Sequence, residues 1–392
     1  MKREWNFQFP LEEIEGFDWH RGKWTNEYYH YFYRRFSSHI MSRLFLEDNQ
    51  KVLVIGCGFG FDEKNIKSLN KTIELWSVDI SEEMIKRAIQ NQSPSHFLIG
   101  VAEKLPFPDQ CFDRVLAREV IEHVIEPKAM LQEIGRVLKE GGRAVITTEN
   151  NRSFAPSNEY DRFIKPKIAK IFQVILPKPP YKNEAPSLDR IKSEAKAAGL
   201  MLVEFFRDGA LYKYLPEWAP VLKRSLPRIG HFFSCLENHS VLAGVFCDQV
   251  KYIFLKEDHS SHQPVPSHEV FLTCPVCKER LELHPDFYTC LICHRKYYLG
   301  GDVPNFLLRE MGKSVDTFLH FERQKGKNSF MARGLGIMFK VINLICRTSY
   351  GFLYVSSAFL ATLTVKKNFP YLSRILSEED KFQQYIKIYP RR

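Results

Sequence analysis

The sequence predicts an α/β fold built on a doubly wound, seven-stranded sheet, followed by a small cysteine-organised module and a basic helical tail. Three observations predict it. Between residues 51 and 150, short runs rich in Val, Ile and Leu alternate with amphipathic stretches of helical period. The first run, KVLVIGCGFG (51–60), breaks into three glycines at alternate positions. Farther on, a stretch rich in Ser, His and Pro gives way to two Cys-x-x-Cys pairs.

Residues 1–50 are aromatic-rich (WTNEYYHYFYRRF) with helical spacing, which reads as a helical cover ahead of the first strand. The expected order is then strand 51–55, glycine turn, helix to about 69, strand 73–78, helix 82–90 and strand 97–101. Strand 112–117, helix 119–138 and strand 143–149 follow, with LKEGGR as the turn entering the last of these. LDRIKSEAKAAG (188–199) reads as a helix stopped by Gly199, and LMLVEFF and VKYIFLK supply two more strands to complete the sheet over 51–256. The interval 151–187 is polar and proline-dotted around the amphipathic FIKPKIAKIFQVIL, a candidate lid or a packing helix. Residues 257–267 read as a linker, 268–309 as the cysteine module and 310–392 as the tail.

Hydrophobic residues at 44% and charged residues at 26% of the 392 exclude a disordered chain. The N-terminus carries acids and a proline where a secretory signal would have its apolar stretch, so a cytoplasmic protein is expected, with its nine cysteines reduced. Of the net charge of +10, most lies in residues 311–392, which hold 14 Lys/Arg against 5 Asp/Glu. A basic tail favours an anionic surface, either membrane headgroups or nucleic acid.

The glycine turn decides the ligand class. A dinucleotide fingerprint runs G-x-G-x-x-G, but Gly56, Gly58 and Gly60 run G-x-G-x-G, and Phe61 stands where the third dinucleotide glycine belongs. The Gly-Lys-Ser/Thr ending of a phosphate loop is also missing. A turn that lets backbone approach a ligand without pyrophosphate suits an adenosyl group such as that of S-adenosylmethionine. Asp79, at the carboxyl end of the second strand, is placed to accept both ribose hydroxyl protons.

The segment VLVIGCGFG…SVDIS…AEKLPFPDQCFDRVLAREVIEHVIEPKAMLQEIGRVLKEGGRAVITTEN resembles the class I S-adenosylmethionine-dependent methyltransferases, particularly the branch that includes quinone-biosynthesis and other small-molecule enzymes. The resemblance implies a Rossmann-like domain in which Gly56, Gly58 and Gly60 floor the cofactor site and Asp79 grips the ribose. It sets Ala102 and Glu103 beside the adenine, and turns Arg118 to His123 toward the sulfonium and the acceptor. Two departures stand out. Many relatives carry acids where this chain has Val54 and Val101; Glu103 can substitute for the second, and no sequence neighbour clearly substitutes for the first. Methyl transfer asks mainly for positioning and desolvation. His123, by its ordinary pKa, is a candidate base or a residue that caps the helix expected from Glu119; Glu119 is a candidate to orient an acceptor hydroxyl or to complement that helix's N-terminus.

Cys274-x2-Cys277-x12-Cys290-x2-Cys293 has the spacing of a tetrahedral thiolate cage for structural Zn2+, with a redox dithiol as the alternative. Four thiolates leave no open position for catalysis, and so small a module depends on its metal to fold. Through GGDVPNFL it resembles the zinc ribbons found alone or fused to RNA and protein methyltransferases, which implies docking or substrate presentation.

The uncharged stretch 348–365 is long enough to span a membrane, but its Ser, Thr and Tyr content favours a buried or interfacial helix with basic flanks, hence peripheral membrane contact. The expected acceptor is a small molecule, lipid-like or quinone-like. The alternatives are an RNA or protein acceptor, for which Asn-Pro-Pro-Tyr is missing where AREV follows the fourth strand, and a non-catalytic zinc-binding scaffold with a degenerate adenosyl pocket.

Overall fold

The computed structural model describes residue 37 and residues 40–150, 186–208, 249–257 and 271–307. Most of the aromatic N-terminal cover, the proline-dotted insertion, the linker and the basic tail lie outside these residues, and with them the expected lid and the 348–365 stretch. Among the described residues no helix is long and apolar enough to cross a membrane.

The sheet has the seven strands expected. In chain order they are β1 (Lys51–Ile55), β2 (Glu74–Asp79), β3 (His96–Ile99), β4 (Phe112–Arg118), β5 (Leu138–Glu149), β6 (Leu200–Asp208) and β7 (Gln249–Lys256). They lie side by side as β3-β2-β1-β4-β5-β7-β6, all parallel except β7, which runs antiparallel to both its neighbours. Helices α1 (Phe61–Leu69), α2 (Glu82–Gln90), α3 (Pro127–Val137) and α4 (Leu188–Ala197) connect them. Because strand side chains alternate, each strand feeds two cores: Leu53, Ile55, Val115 and Ile146 on one face, Val52, Val54, Leu116 and Val145 on the other. The strand order reverses between β1 and β4, and a sheet that reverses there opens a crevice at its carboxyl edge.

Local chemistry sets the helix ends. Ser81 caps α2 by accepting from the Met84 N–H, Ser187 caps α4 by accepting from the Arg190 N–H, and Gly199, at φ 72°, follows the end of α4 as its stop.

Three expectations are corrected. The helix drawn from 119 to 138 begins only at Pro127; Glu119 takes a left-handed φ of 54°, and proline, lacking an N–H and fixed in φ, opens α3 at its first turn. β3 stops at Ile99 rather than at 101, since the backbone turns away at Gly100. LKEGGR is not a turn before β5 but its first part, a bulge where the register to β4 jumps from Phe112↔Leu138 to Arg114↔Arg143.

A second, four-stranded antiparallel sheet holds the cysteine module, ordered β11 (Val303–Pro304), β10 (Lys296–Gly300), β9 (Phe287–Cys290) and β8 (Leu281–Leu283).

Candidate cofactor site and thiol cage

The turn after β1 is built for glycine. Gly56, Gly58 and Gly60 have φ of 70°, 51° and 76°, the left-handed region that side chains avoid. A Cβ on Gly56 would run into the Val120 side chain, so that corner is closed to any larger residue. At Gly58 a Cβ would meet nothing within 4 Å, which leaves open space beside exposed backbone. The Gly58 N–H donates to Asp79 Oδ2 at 2.9 Å, and the Ser81 N–H donates to Oδ1 at 2.9 Å. The Asp79 carboxylate at the end of β2 is therefore held against the turn by backbone donors. Burial raises its pKa, opposed by those donors from Ser81 and Gly58. An open glycine corner with a buried, oriented carboxylate fits a ribose and the chain attached to it.

The other expected site residues spread along the same edge. Ala102 is buried in the loop after β3, and Glu103 accepts the Ile125 N–H at 3.0 Å, tying that loop to the one after β4. Arg118 closes β4 with an ion pair to Asp62 on α1 at 2.9 Å and a second donation to Ser37 Oγ at 3.1 Å. Glu119 accepts from Thr147 Oγ1 at 2.8 Å. With the helix starting at Pro127, Glu119 and His123 lie in a turn, so neither complements a helix N-terminus there; the His123 N–H closes that turn on the Val120 carbonyl, and its side chain is exposed.

Two carboxyls were missed by sequence reasoning. Glu63, fully buried on α1, accepts from Ser77 Oγ at 2.6 Å, and Ser77 pairs in register with Val54. The carboxyl missing at position 54 is thus matched by one from the following helix, packed on the same strand pair. Burial pushes Glu63 up to about 8, against the Ser77 hydrogen bond and aided by the charges of Asp62 and Asp79. Glu122, 3% exposed, accepts from Thr148 Oγ1 at 3.0 Å and, among the described residues, leaves Oε1 without a partner. Burial, then the nearby Glu119, raise its pKa well above the carboxylate range. An acid in a helix's first turn is ordinary, and nothing in the local sequence of Glu122 separates it from a surface residue.

Beside the second sheet, with only Cys290 on one of its strands, the Sγ atoms of Cys274, Cys277, Cys290 and Cys293 all lie within 4.8 Å of one another, with Cys274–Cys293 at 3.6 Å and Cys277–Cys290 at 3.3 Å. Four thiolates about 2.3 Å from a tetrahedral ion would stand roughly 3.8 Å apart, so the cage fits. Lys278 and His294, each just after the second cysteine of a pair, take φ of 64° and 55° and turn the chain back around the sulfurs. Tyr297 Oη lies 2.9 Å from Cys274 Sγ.

Residues 53–146 match the family model described as a methyltransferase domain. The chain is 31% identical over 169 residues to a ubiquinone/menaquinone biosynthesis C-methyltransferase of Burkholderia cenocepacia, covering 40% of this chain and 69% of that one. It is 28% identical over 124 residues to phosphoethanolamine N-methyltransferase 3 of Arabidopsis thaliana, covering 31% of this chain but only 25% of the plant protein. Among solved structures, one described as a putative sarcosine dimethylglycine methyltransferase from Galdieria sulphuraria aligns with a TM-score of 0.39 and 19% identity, over 57% of this chain and 86% of that one.

Proposed function

We propose that this chain, which belongs to the class I S-adenosylmethionine-dependent methyltransferases, transfers a methyl group to a small, lipid-like or quinone-like acceptor. The observation that carries it is the Asp79 carboxylate, held under the open glycine corner by the Gly58 N–H. In this reading Gly56, Gly58 and Gly60 floor the cofactor site, Asp79 accepts the ribose hydroxyl protons, and Ala102 and Glu103 flank the adenine. S-adenosylmethionine supplies a methyl on a positively charged sulfur, open to in-line displacement. Glu119 and His123 orient the acceptor and take up its proton, and Arg118 orders the neighbouring edge through Asp62. The quinone and phosphoethanolamine named for the relatives support a small acceptor. The four cysteines hold a structural zinc. Asp79→Ala should weaken binding of S-adenosylmethionine, followed by titration calorimetry, by about 1.5–3 kcal/mol. An unchanged affinity in a folded variant removes Asp79 from the site.

The basic tail supports contact with anionic membrane surfaces, because its charge is interleaved with apolar stretches. Flotation with anionic vesicles at low salt should recover the full chain but not a chain truncated after residue 310. If the full chain ignores vesicles yet shifts RNA, with binding that collapses as salt rises, the tail serves nucleic acid instead.

A further inference from the structure

β3 is the outer strand of the seven-stranded sheet, and an outer strand presents unpaired backbone groups. Here the cysteine module meets the end of that strand at Ile99 and the loop beyond it. The Phe306 N–H donates to the Ile99 carbonyl at 2.8 Å, Asn305 bridges to Ile99 in parallel sense, and the Thr273 N–H donates to the Pro106 carbonyl at 2.9 Å. Tyr297, Phe306, Cys274 and Cys290 are buried in the same apolar cluster as Leu98, Leu105 and Phe107. An ion triad around the buried Glu133, with Lys278 and Arg136 half-buried, locks the joint. Lys278 Nζ meets Glu133 Oε2 at 2.7 Å, Arg136 meets Oε1 at 2.8 Å, and Glu133 Oε2 also accepts the Leu105 N–H at 2.7 Å. Although burial opposes it, Arg136 and Lys278 hold the Glu133 carboxyl below its ordinary value.

These contacts continue into the glycine corner. Past Ile99 the Gly100 N–H donates to the Asp79 carbonyl at 2.9 Å, and the Asp79 side chain receives the Gly58 N–H. One hydrogen-bonded path therefore runs from Phe306 through Ile99, Gly100 and the backbone and side chain of Asp79 to the turn, while Lys278 and Glu133 fix Leu105 at the far end of the same loop.

We infer that the cysteine module is a positioning element for the cofactor pocket, with Lys278 and Phe306 as its positioning residues, so that loading of the thiol cage and binding of an adenosyl ligand favour each other. This rests on the pocket assignment made above. Coupling of this kind is reciprocal: whatever factor the metal adds to ligand affinity, the ligand adds to metal affinity.

The test uses full-length, zinc-loaded protein with S-adenosylhomocysteine as probe. Lys278→Met keeps the aliphatic stem and should still carry one zinc per chain. It should bind the probe about five- to tenfold more weakly and raise KM for the methyl donor with kcat held. It should also speed amide exchange across residues 99–107 without any ligand. Lys278→Arg should recover most of each change, and Glu133→Gln should reproduce the loss from the opposite side of the joint. If Lys278→Met retains zinc and leaves both exchange and affinity at the wild-type level, the inference is overturned. If exchange quickens in the variant but zinc-loaded wild type binds no probe, the pocket assignment fails and the coupling with it, while the joint itself stands.

Discussion

Stripping the metal from the thiol cage of the full-length protein is expected to unfold residues 271–307 and to lower the stability of the whole by several kcal/mol. The module is near the size, roughly 40 residues, below which a chain needs metals, disulfides or partners to fold. Its interior is a few side chains, Leu281, Tyr297 and Phe306, gathered around the buried Cys274 and Cys290. Zinc bound by such cages contributes about 10–16 kcal/mol in isolated peptides, and without it four thiols crowd together with no cation between them. Tyr297 and Phe306 also belong to the cluster that includes Phe107 and Phe112, so losing the module uncovers apolar surface of the larger domain and not its own alone. Elemental analysis of protein prepared without chelators should give about one zinc per chain, lost in Cys274→Ser and in Cys290→Ser. Metal-free protein with the protease resistance and near-ultraviolet dichroism of the loaded form would refute this.

What the sequence made legible was periodic or spaced. The apolar runs of β1, β2 and β4, the stop at Gly199 and the four-cysteine spacing all announce themselves within a few residues. The turn 119–126 misled because Val120, Ile121 and Val124 have helical spacing yet pack against the core from a loop, a packing outcome that no local window contains. The joint at β3 was invisible for a related reason. Lys278 and Glu133 stand 145 residues apart, and each alone is an ordinary surface charge. Only the fold brings them to 2.7 Å. Glu63 is the same case over a shorter range, since its acid reads as a favourable first-turn residue until Ser77 is known to lie against it.

Glu63→Gln is expected to make the protein more stable than wild type above pH 8 while changing little at pH 5. The carboxyl is fully buried, receives a hydrogen bond from Ser77 and, among the described residues, leaves Oε2 without a partner, so the charged form loses its hydration for little return. Burial first, then the charges of Asp62 and Asp79, raise its pKa from 4.5 to about 8. The native state therefore keeps a proton that the unfolded chain releases near pH 4.5. Between these values the native state binds more protons, and stability falls as pH rises, by about 1.4 kcal/mol per unit. The loss is absent below about pH 4.5 and complete above about pH 8, where it sums to roughly 4–5 kcal/mol. Glutamine keeps the acceptor facing Ser77 and cannot ionise, so it removes this slope. Glu122 falls in the same direction for the same reason, and its share persists in the variant. Urea denaturation at pH 5, 7 and 9 separates the two: the stability of the variant minus that of wild type should climb steadily across the series. A constant difference from pH 5 to 9 would mean that Glu63 is already ionised in the native state, with a cation or donor beside it that is not among the described residues.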